Sequence, residues 1–462
     1  MKPLDPTVPP ILASAGIPSA VRDVLSGLQQ GGFEASLVGG CVRDLLLGKT
    51  PKDFDVATSA LPQDVQRLFT KVIPTGVLHG TVTVLMRGAS IEVTTYRSEG
   101  QYLDGRRPSS VTFGTSLVED LSRRDFTINA MAFDPVRRRF EDPFGGSADL
   151  ASHRIRCVGE PQERFSEDGL RPLRAVRLAA ALGFELDAAT QRAISSSLET
   201  FQKIAAERIR EEFSKLLVSD RPALGLELLR TTGLLAVFLP EVIEGVGQFQ
   251  DSRYAGDVYR HTLATVEFAP AGLSLRLAAL LHDVAKPRTA RKRAAGDGFD
   301  FPQHATLGAS IAEEILERLK FPRAIIDQVC LMVRHHGLED FDSGSDSALR
   351  RFAAALGPSI SSQLDLMQAN LRGREVDIQK NIERATQFRE RAMQVLQDNP
   401  PLTPKSLALD GHAIMRILGV GPSPQVGQAT RFLMDQVLEN PGLNSVDRLS
   451  ELLRNWAKSH PG

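Results

Sequence analysis

An apolar run that stops at two glycines and restarts as a charged helix leaves the backbone few conformations. Here Leu37-Val38 leads into Gly39-Gly40, followed by Cys41-Val42-Arg43-Asp44-Leu45 and, past Gly48, by Asp53-Phe54-Asp55. The pattern predicts strand, tight turn, short helix, second strand. Glycine at such a turn lets the backbone come close to a phosphate, and the first turn of the helix aims N–H groups at it. On a strand, residues i and i+2 share a face, which places Asp53 beside Asp55. Two neighbouring carboxylates are hard oxygen ligands suited to Mg²⁺ carrying a triphosphate. A phosphate cradle and metal carboxylates within about twenty residues point to nucleotidyl or phosphoryl transfer, with Asp53 and Asp55 as catalytic metal ligands. The alternative is a plain strand–turn–helix with a solvated pair of aspartates.

The rest of the chain narrows the setting. Its 462 residues allow about three domains, and a formal net charge of −1 means that any surface for nucleic acid must be local. Three cysteines without Cys-x-x-Cys spacing argue against a metal cluster or a disulfide framework. Met1–Pro18 lacks the basic and apolar regions of a signal peptide. No run reaches the roughly 18 apolar residues of a membrane span. The expectation is a cytoplasmic protein with no membrane role and no evident obligatory protein partner.

Between Phe33 and about Asp142, β-branched runs such as Thr81-Val-Thr-Val-Leu and Ile91-Glu-Val-Thr-Thr-Tyr alternate with helical segments. From about Gln162 strand signals vanish, and Leu, Ala, Arg and Glu recur at helical period to the end. The fold class is therefore α+β: a mixed head followed by an all-α body.

Two further segments bear chemistry. In Arg123-Arg124-Asp125, guanidinium forks suit phosphate oxygens and a carboxylate suits ribose hydroxyls; a solvated charge run is the alternative. In Glu167-Asp168-Gly-Leu-Arg171-Pro-Leu-Arg174-Ala-Val-Arg177, Pro172 fits the first turn of a helix and sets Asp168 at its entry. Arg171, Arg174 and Arg177 then share one drifting face, as they would on any charged exterior helix. Asp168 offers only acceptors and Arg171 only donors. The Watson–Crick edges of cytosine and adenine each set an amino donor beside a ring-nitrogen acceptor, and uracil and guanine present the reverse. An Asp/Arg pair would accept C and A and reject U and G by unmade or repulsive contacts.

Taken together, these segments and the helix Glu207-Arg-Ile-Arg-Glu-Glu-Phe resemble the class II tRNA nucleotidyltransferases (CCA-adding enzymes) and the related bacterial poly(A) polymerases. The resemblance is dense over residues 33–217. It implies a polymerase-β-like nucleotidyltransferase head at 1–145, a helical neck for base recognition at 146–250, an HD-like helical domain at 251–375 and a tRNA-binding tail at 376–462, the last three forming an elongated body. It implies Asp53 and Asp55 as Mg²⁺ ligands, and nucleotide contacts from Gly40, Arg43, Arg124, Asp125, Asp168, Arg171, Arg174 and Arg177. Glu92 is the candidate for a third carboxylate. Partners implied are the tRNA 3′ end, CTP and ATP. The stretch Pro74–Val84 resembles the CCA-adding side of the family rather than the poly(A) side. The loop Arg97–Pro108, with Asp104 and Arg106, is of the kind that A addition needs. A full CCA enzyme and an A-adding enzyme both remain open on this reading.

The body also holds His261, the doublet His282-Asp283, His304 and His335-His336. This resembles the HD phosphohydrolase superfamily, where a His, a His-Asp doublet and a later Asp hold a divalent metal. His261, His282 and Asp283 are the candidate second metal set, but the closing position reads Asn370, with Asp365 nearby. Three functions compete: template-independent addition of C, C and A to tRNA, a metal-dependent phosphohydrolase with a nucleotide-binding head, and a noncatalytic RNA-binding protein.

Overall fold

The computed structural model describes residues 8–100, 110–294, 298–337, 345–374, 376–397 and 400–460. It divides into two compact units, Met1–Phe238 and Leu239–Gly462.

The first unit begins with α1 (Ser19–Gln30), whose Val21, Val24, Leu25 and Leu28 recur at helical spacing and are buried. A seven-stranded mixed sheet follows: β1 (Ala35–Val38), β2 (Asp55–Thr58), β3 (Val72–Gly76), β4 (Thr81–Met86), β5 (Ala89–Thr95), β6 (Ala132–Asp134) and β7 (Arg139–Glu141), in the order β3-β4-β5-β2-β1-β6-β7. Only β2 and β5 run parallel; their register sets Asp55 beside Glu92. In the antiparallel pairing of β4 with β5, Thr83 faces the same Glu92. Along β5 the alternation is clean: Ile91, Val93 and Thr95 are buried, and Glu92 points to the other face.

Between β1 and β2 lies α2 (Gly40–Leu46). Gly39, its N-cap, has φ +76° and ψ −139°. L side chains rarely adopt that conformation, and this is why the chain turns from strand to helix at a glycine. The expected strand over Asp53–Asp55 is corrected at its start. β2 begins at Asp55, and Asp53 stands exposed in the bend before it, because Pro51 and Lys52 close the preceding loop outside the ladder.

The helices that carry the arginines follow: α3 (Leu117–Ser122), α4 (Pro161–Glu167), α5 (Arg171–Leu182), α6 (Ala206–Leu217) and α7 (Pro222–Thr231). Ser116 and Glu119 form a reciprocal cap on α3. Asp168 ends α4, and Arg171 and Pro172 open α5. Strand pairing does not stop at Gln162 as expected. Glu185–Leu186 pairs in parallel with Arg154–Ile155, and Arg291–Lys292 pairs with Phe299–Asp300. Each strand has two residues, too short to leave an alternating signal.

Among the described residues, the regular structure of the second unit is helical apart from that hairpin. Val258–Phe268 (α8), Leu273–Leu281 (α9), His304–Arg318 (α10), Arg323–Arg334 (α11) and Ile360–Gly373 (α12) bury His261, His282, Asp283 and His336 among them. Further on, Gly411–Leu418, Pro424–Glu439 and Val446–Ser459 pack around Ile414, Leu433, Val437, Leu449, Leu453 and Trp456. No described helix is long and apolar enough to cross a membrane.

Candidate active site in the first unit

The sheet end and the arginine helices enclose a cleft of about 630 Å³ lined by 18 residues, among them Gly39, Gly40, Asp55, Glu92, Arg124, Asp125, Asp168, Arg171, Arg174 and Arg208. Asp55 and Glu92 bring carboxylates into this lining. Burial, which disfavours a charged oxygen, pushes the Asp55 carboxyl up, and Asp53 adds to this while Arg124 opposes it. Burial likewise raises Glu92, reinforced by Asp55 and Asp53. Acidic oxygens crowded at the mouth of a cleft form a hard donor set that fits a divalent cation. Gly39 clears the ground beside them: a Cβ there would lie 3.0 Å from Arg124 Nη1 and 3.8 Å from Asp55 Oδ2.

Arg123, Arg124, Arg171, Arg174 and Arg208 line the same cleft, each paired with a carboxylate. Asp120 is fully buried and accepts from Arg123 Nη2 at 2.7 Å and Arg124 Nη2 at 3.3 Å. Asp125 pairs with Arg174 Nη2 at 2.8 Å. Burial alone would raise the Asp125 carboxyl, but Arg174 and Arg171 offset this and hold it below its ordinary value. Arg171 bonds Glu167, the Arg164 carbonyl at 3.0 Å and the Arg123 carbonyl at 3.1 Å. Asp168 Oδ1 accepts from the Leu170 N–H at 3.0 Å, and Oδ2 accepts from Arg208 Nη2 at 2.9 Å. The Asp168/Arg171 pair is thus fixed in place before any ligand arrives. Arg124 Nε, Arg174 Nε and Arg208 Nη1 are buried donors with no hydrogen-bond partner in the protein.

Three of the expected residues stand outside the lining. Asp53 is in the exposed bend. Arg43 packs against the Gly40 turn, bonding Asp44 Oδ1 at 2.7 Å and Asn129 Oδ1 at 2.8 Å. Arg177 is turned to Glu212 on α6 at 2.5 Å. Asp120 and Arg208 were not singled out from the sequence. Asp120 had one readable signal, its spacing of three and four residues to Arg123 and Arg124. Arg208 sits 40 residues from Asp168, beyond any local pattern. Asp104 and Arg106 lie outside the described residues.

The second unit brings its histidines together. His261 Nε2 and His282 Nε2 are 3.1 Å apart, and both approach Asp283 Oδ2, at 3.5 and 3.1 Å. Burial, with His282 next in effect, lowers His261 to about 3. Burial also lowers His304 and His336. It would raise Asp283, but His282 and Lys286 hold that carboxyl well below its ordinary value. Asn370 lines the adjoining cavity, whereas Asp365 is engaged by Arg389 and does not.

Residues 35–156 match the Poly A polymerase head domain, residues 183–245 the probable RNA and SrmB-binding site of polymerase A, and residues 258–384 the HD domain. The chain is 35% identical over 431 residues to a CCA-adding enzyme of Geobacillus sp. (strain WCH70), covering 93% of this chain and 95% of that one. It is 51% identical over 213 residues to a CCA-adding enzyme of Levilactobacillus brevis, covering 46% of this chain and 53% of the relative. Among solved structures, that of the Bacillus stearothermophilus CCA-adding enzyme in complex with CTP aligns with a TM-score of 0.73 at 28% identity, covering 95% and 97% of the two chains. The Thermotoga maritima CCA-adding enzyme complexed with tRNA shares the fold at 18% identity and a TM-score of 0.61, covering 96% and 98%. With a relative this similar over nearly its whole length, the chain belongs to the family of CCA-adding enzymes, the nucleotidyltransferases of tRNA processing.

Proposed function

We propose that this chain adds C, C and A to the 3′ end of tRNA from CTP and ATP, without a nucleic-acid template, in the cytoplasm. The observation that carries the reading is one cleft lined both by Asp55 and Glu92 and by the braced Asp168/Arg171 pair. Asp53 and Asp55, joined by Glu92, would hold Mg²⁺, which activates the RNA 3′-hydroxyl and stabilises departing pyrophosphate.

The chain's own residues do the rest. The Gly39-Gly40 turn and the N-terminus of α2 present backbone N–H groups to the triphosphate. The unpartnered donors of Arg124 and Arg174 take further phosphate oxygens, and Asp125 accepts from ribose. Asp168 accepts the exocyclic amino proton of C or A, and Arg171 donates to the ring nitrogen beside it. Because both are already immobilised, little ordering entropy is lost when the base arrives. We assign the head to 1–145, the neck to 146–250, the HD-like domain to 251–375 and a tRNA-binding tail to 376–462. His261, His282 and Asp283 are read as ligands of a second divalent metal.

The test uses tRNAs ending before the first C, after C and after CC, each incubated with one labelled nucleotide. The reading predicts CMP on the first two and AMP on the third. AMP on the third alone would identify an A-adding enzyme, and AMP on unrelated RNA a poly(A) polymerase.

A further inference from the structure

The two oxygens of Asp125, the proposed ribose acceptor, are used differently. Oδ1 is taken by the protein: it accepts from the Phe126 N–H at 2.9 Å and from Asn129 Nδ2 at 3.4 Å. Oδ2 lies 2.8 Å from Arg174 Nη2 but accepts no hydrogen bond of good geometry among the described residues. Asp125 is only 8% exposed and lines the cleft. Buried acceptors are ordinarily bonded, so an open one in a cleft marks a place where a ligand's donor completes the set. The torsion that turns a carboxylate about its Cβ–Cγ bond is broad, so hydrogen bonds rather than a rotamer well decide which oxygen stays open.

Asn129 is itself directed. It ends the short turn Thr127–Asn129, is 9% exposed and lines the same cleft. Its Oδ1 accepts from Arg43 Nη1 at 2.8 Å. A guanidinium only donates and a carboxylate only accepts. The amide therefore has one orientation that satisfies both neighbours, with its oxygen to Arg43 and its NH₂ to Asp125. Arg43 is held in turn by Asp44 Oδ1, at 2.9 Å from Nε and 2.7 Å from Nη2. It packs against the phosphate turn: a Cβ on Gly40 would lie 3.4 Å from Arg43 Nη2. One side-chain amide thus joins the turn that opens α2 to the carboxylate of Asp125.

We propose, on the reading of Asp125 as ribose acceptor, that Asn129 is a positioning residue for ribonucleotide selection. Its amide, directed by Arg43, holds Asp125 with Oδ2 open to a ribose hydroxyl of the incoming nucleotide. A site built around that hydroxyl rejects an analogue lacking it, because the carboxylate oxygen is then left unpaired. Without the Asn129 amide the carboxylate turns more freely, and the hydroxyl loses its advantage.

The experiment measures single additions by the full-length chain to tRNA ending after the first C, with CTP, 2′-deoxy-CTP and 3′-deoxy-CTP. The readout is kcat/KM for CTP divided by kcat/KM for each analogue. A lost phosphate contact or a general loosening of the cleft lowers all three values and leaves the ratios unchanged. Asn129→Ala should lower the ratio about tenfold or more for the analogue missing the hydroxyl that Asp125 takes, with KM for CTP rising. Asn129→Asp still accepts from Arg43 but has no N–H for Asp125, and it should lower the same ratio. Being isosteric, it replaces the alanine variant if thermal melts show that one unfolded. A folded Asn129 variant that keeps the wild-type ratios, where Asp125→Ala loses them, would overturn the positioning role and leave Asp125 as ribose acceptor. Wild-type ratios in folded Asp125→Ala, or no preference for CTP in the wild type itself, would overturn both.

Discussion

Asp55 and Glu92 show how a register turns two distant residues into one site. They are 37 positions apart, yet parallel pairing of β2 with β5 makes them neighbours; burial raises both carboxyls, and Asp55 raises Glu92 further. A proton and a divalent cation compete for the same oxygens. Because both carboxyls are pushed above their ordinary values, Mg²⁺ affinity should fall as pH drops, starting from a higher pH than free carboxylates would give. Titrating Mg²⁺-dependent incorporation at several pH values measures this. Asp55→Ala should cut CMP and AMP incorporation alike by orders of magnitude with the fold intact, and Glu92→Gln should cut them by less. Near-normal rates in Asp55→Ala would remove the metal assignment. Asp55, Asp168 and Arg171 were legible as motifs because their neighbours in sequence are their neighbours in chemistry. Arg177 shows the limit: a three-residue spacing marks a helix face but cannot say whether that face meets a ligand or, as here, Glu212 on α6.

Among the elements, α5 and α6 are cross-linked by that pair. Glu212 is 7% exposed and also meets Lys215 at 3.2 Å. Burial would raise its carboxyl, but Arg177, Arg174 and Lys215 together hold it below its ordinary value. A carboxyl with a depressed folded-state pKa stabilises fully above its unfolded value, about 4.3, and loses that contribution as pH falls through the folded value. Glu212→Ala strands the Arg177 charge and should cost about 3 kcal/mol. Melting curves of wild type and variant should differ most near pH 7, and the gap should begin to close only below about pH 4.3, narrowing as pH falls through the lower folded-state value. A gap that persists unchanged into acid would mean packing, not charge, joins the helices. The order of helices and strands was largely legible, because β-branched runs and helical periodicity are strong signals. The two-residue strands and the true start of β2 were not, since tertiary pairing rather than local pattern decides them.

For the molecule as a whole, a formal charge of −1 leaves no global attraction for RNA. Binding of tRNA must come from a local basic track reading backbone and shape. The logarithm of affinity should fall linearly with the logarithm of salt, and tRNA should keep an advantage over unstructured RNA of equal length throughout. Equal affinities for the two would argue against a tRNA-shaped surface. Whether one amino-acid pair chooses both bases is read by a four-nucleotide competition, run with wild type and with Asp168→Ala/Arg171→Ala beside a thermal melt. Each hydrogen bond to a charged partner is worth about 1.5–3 kcal/mol, so losing two removes most of the bias against U and G. The folded double variant should still need Mg²⁺ and now incorporate UMP or GMP measurably. A folded variant that still chooses C and A over U and G as strictly as wild type would contradict selection by this pair.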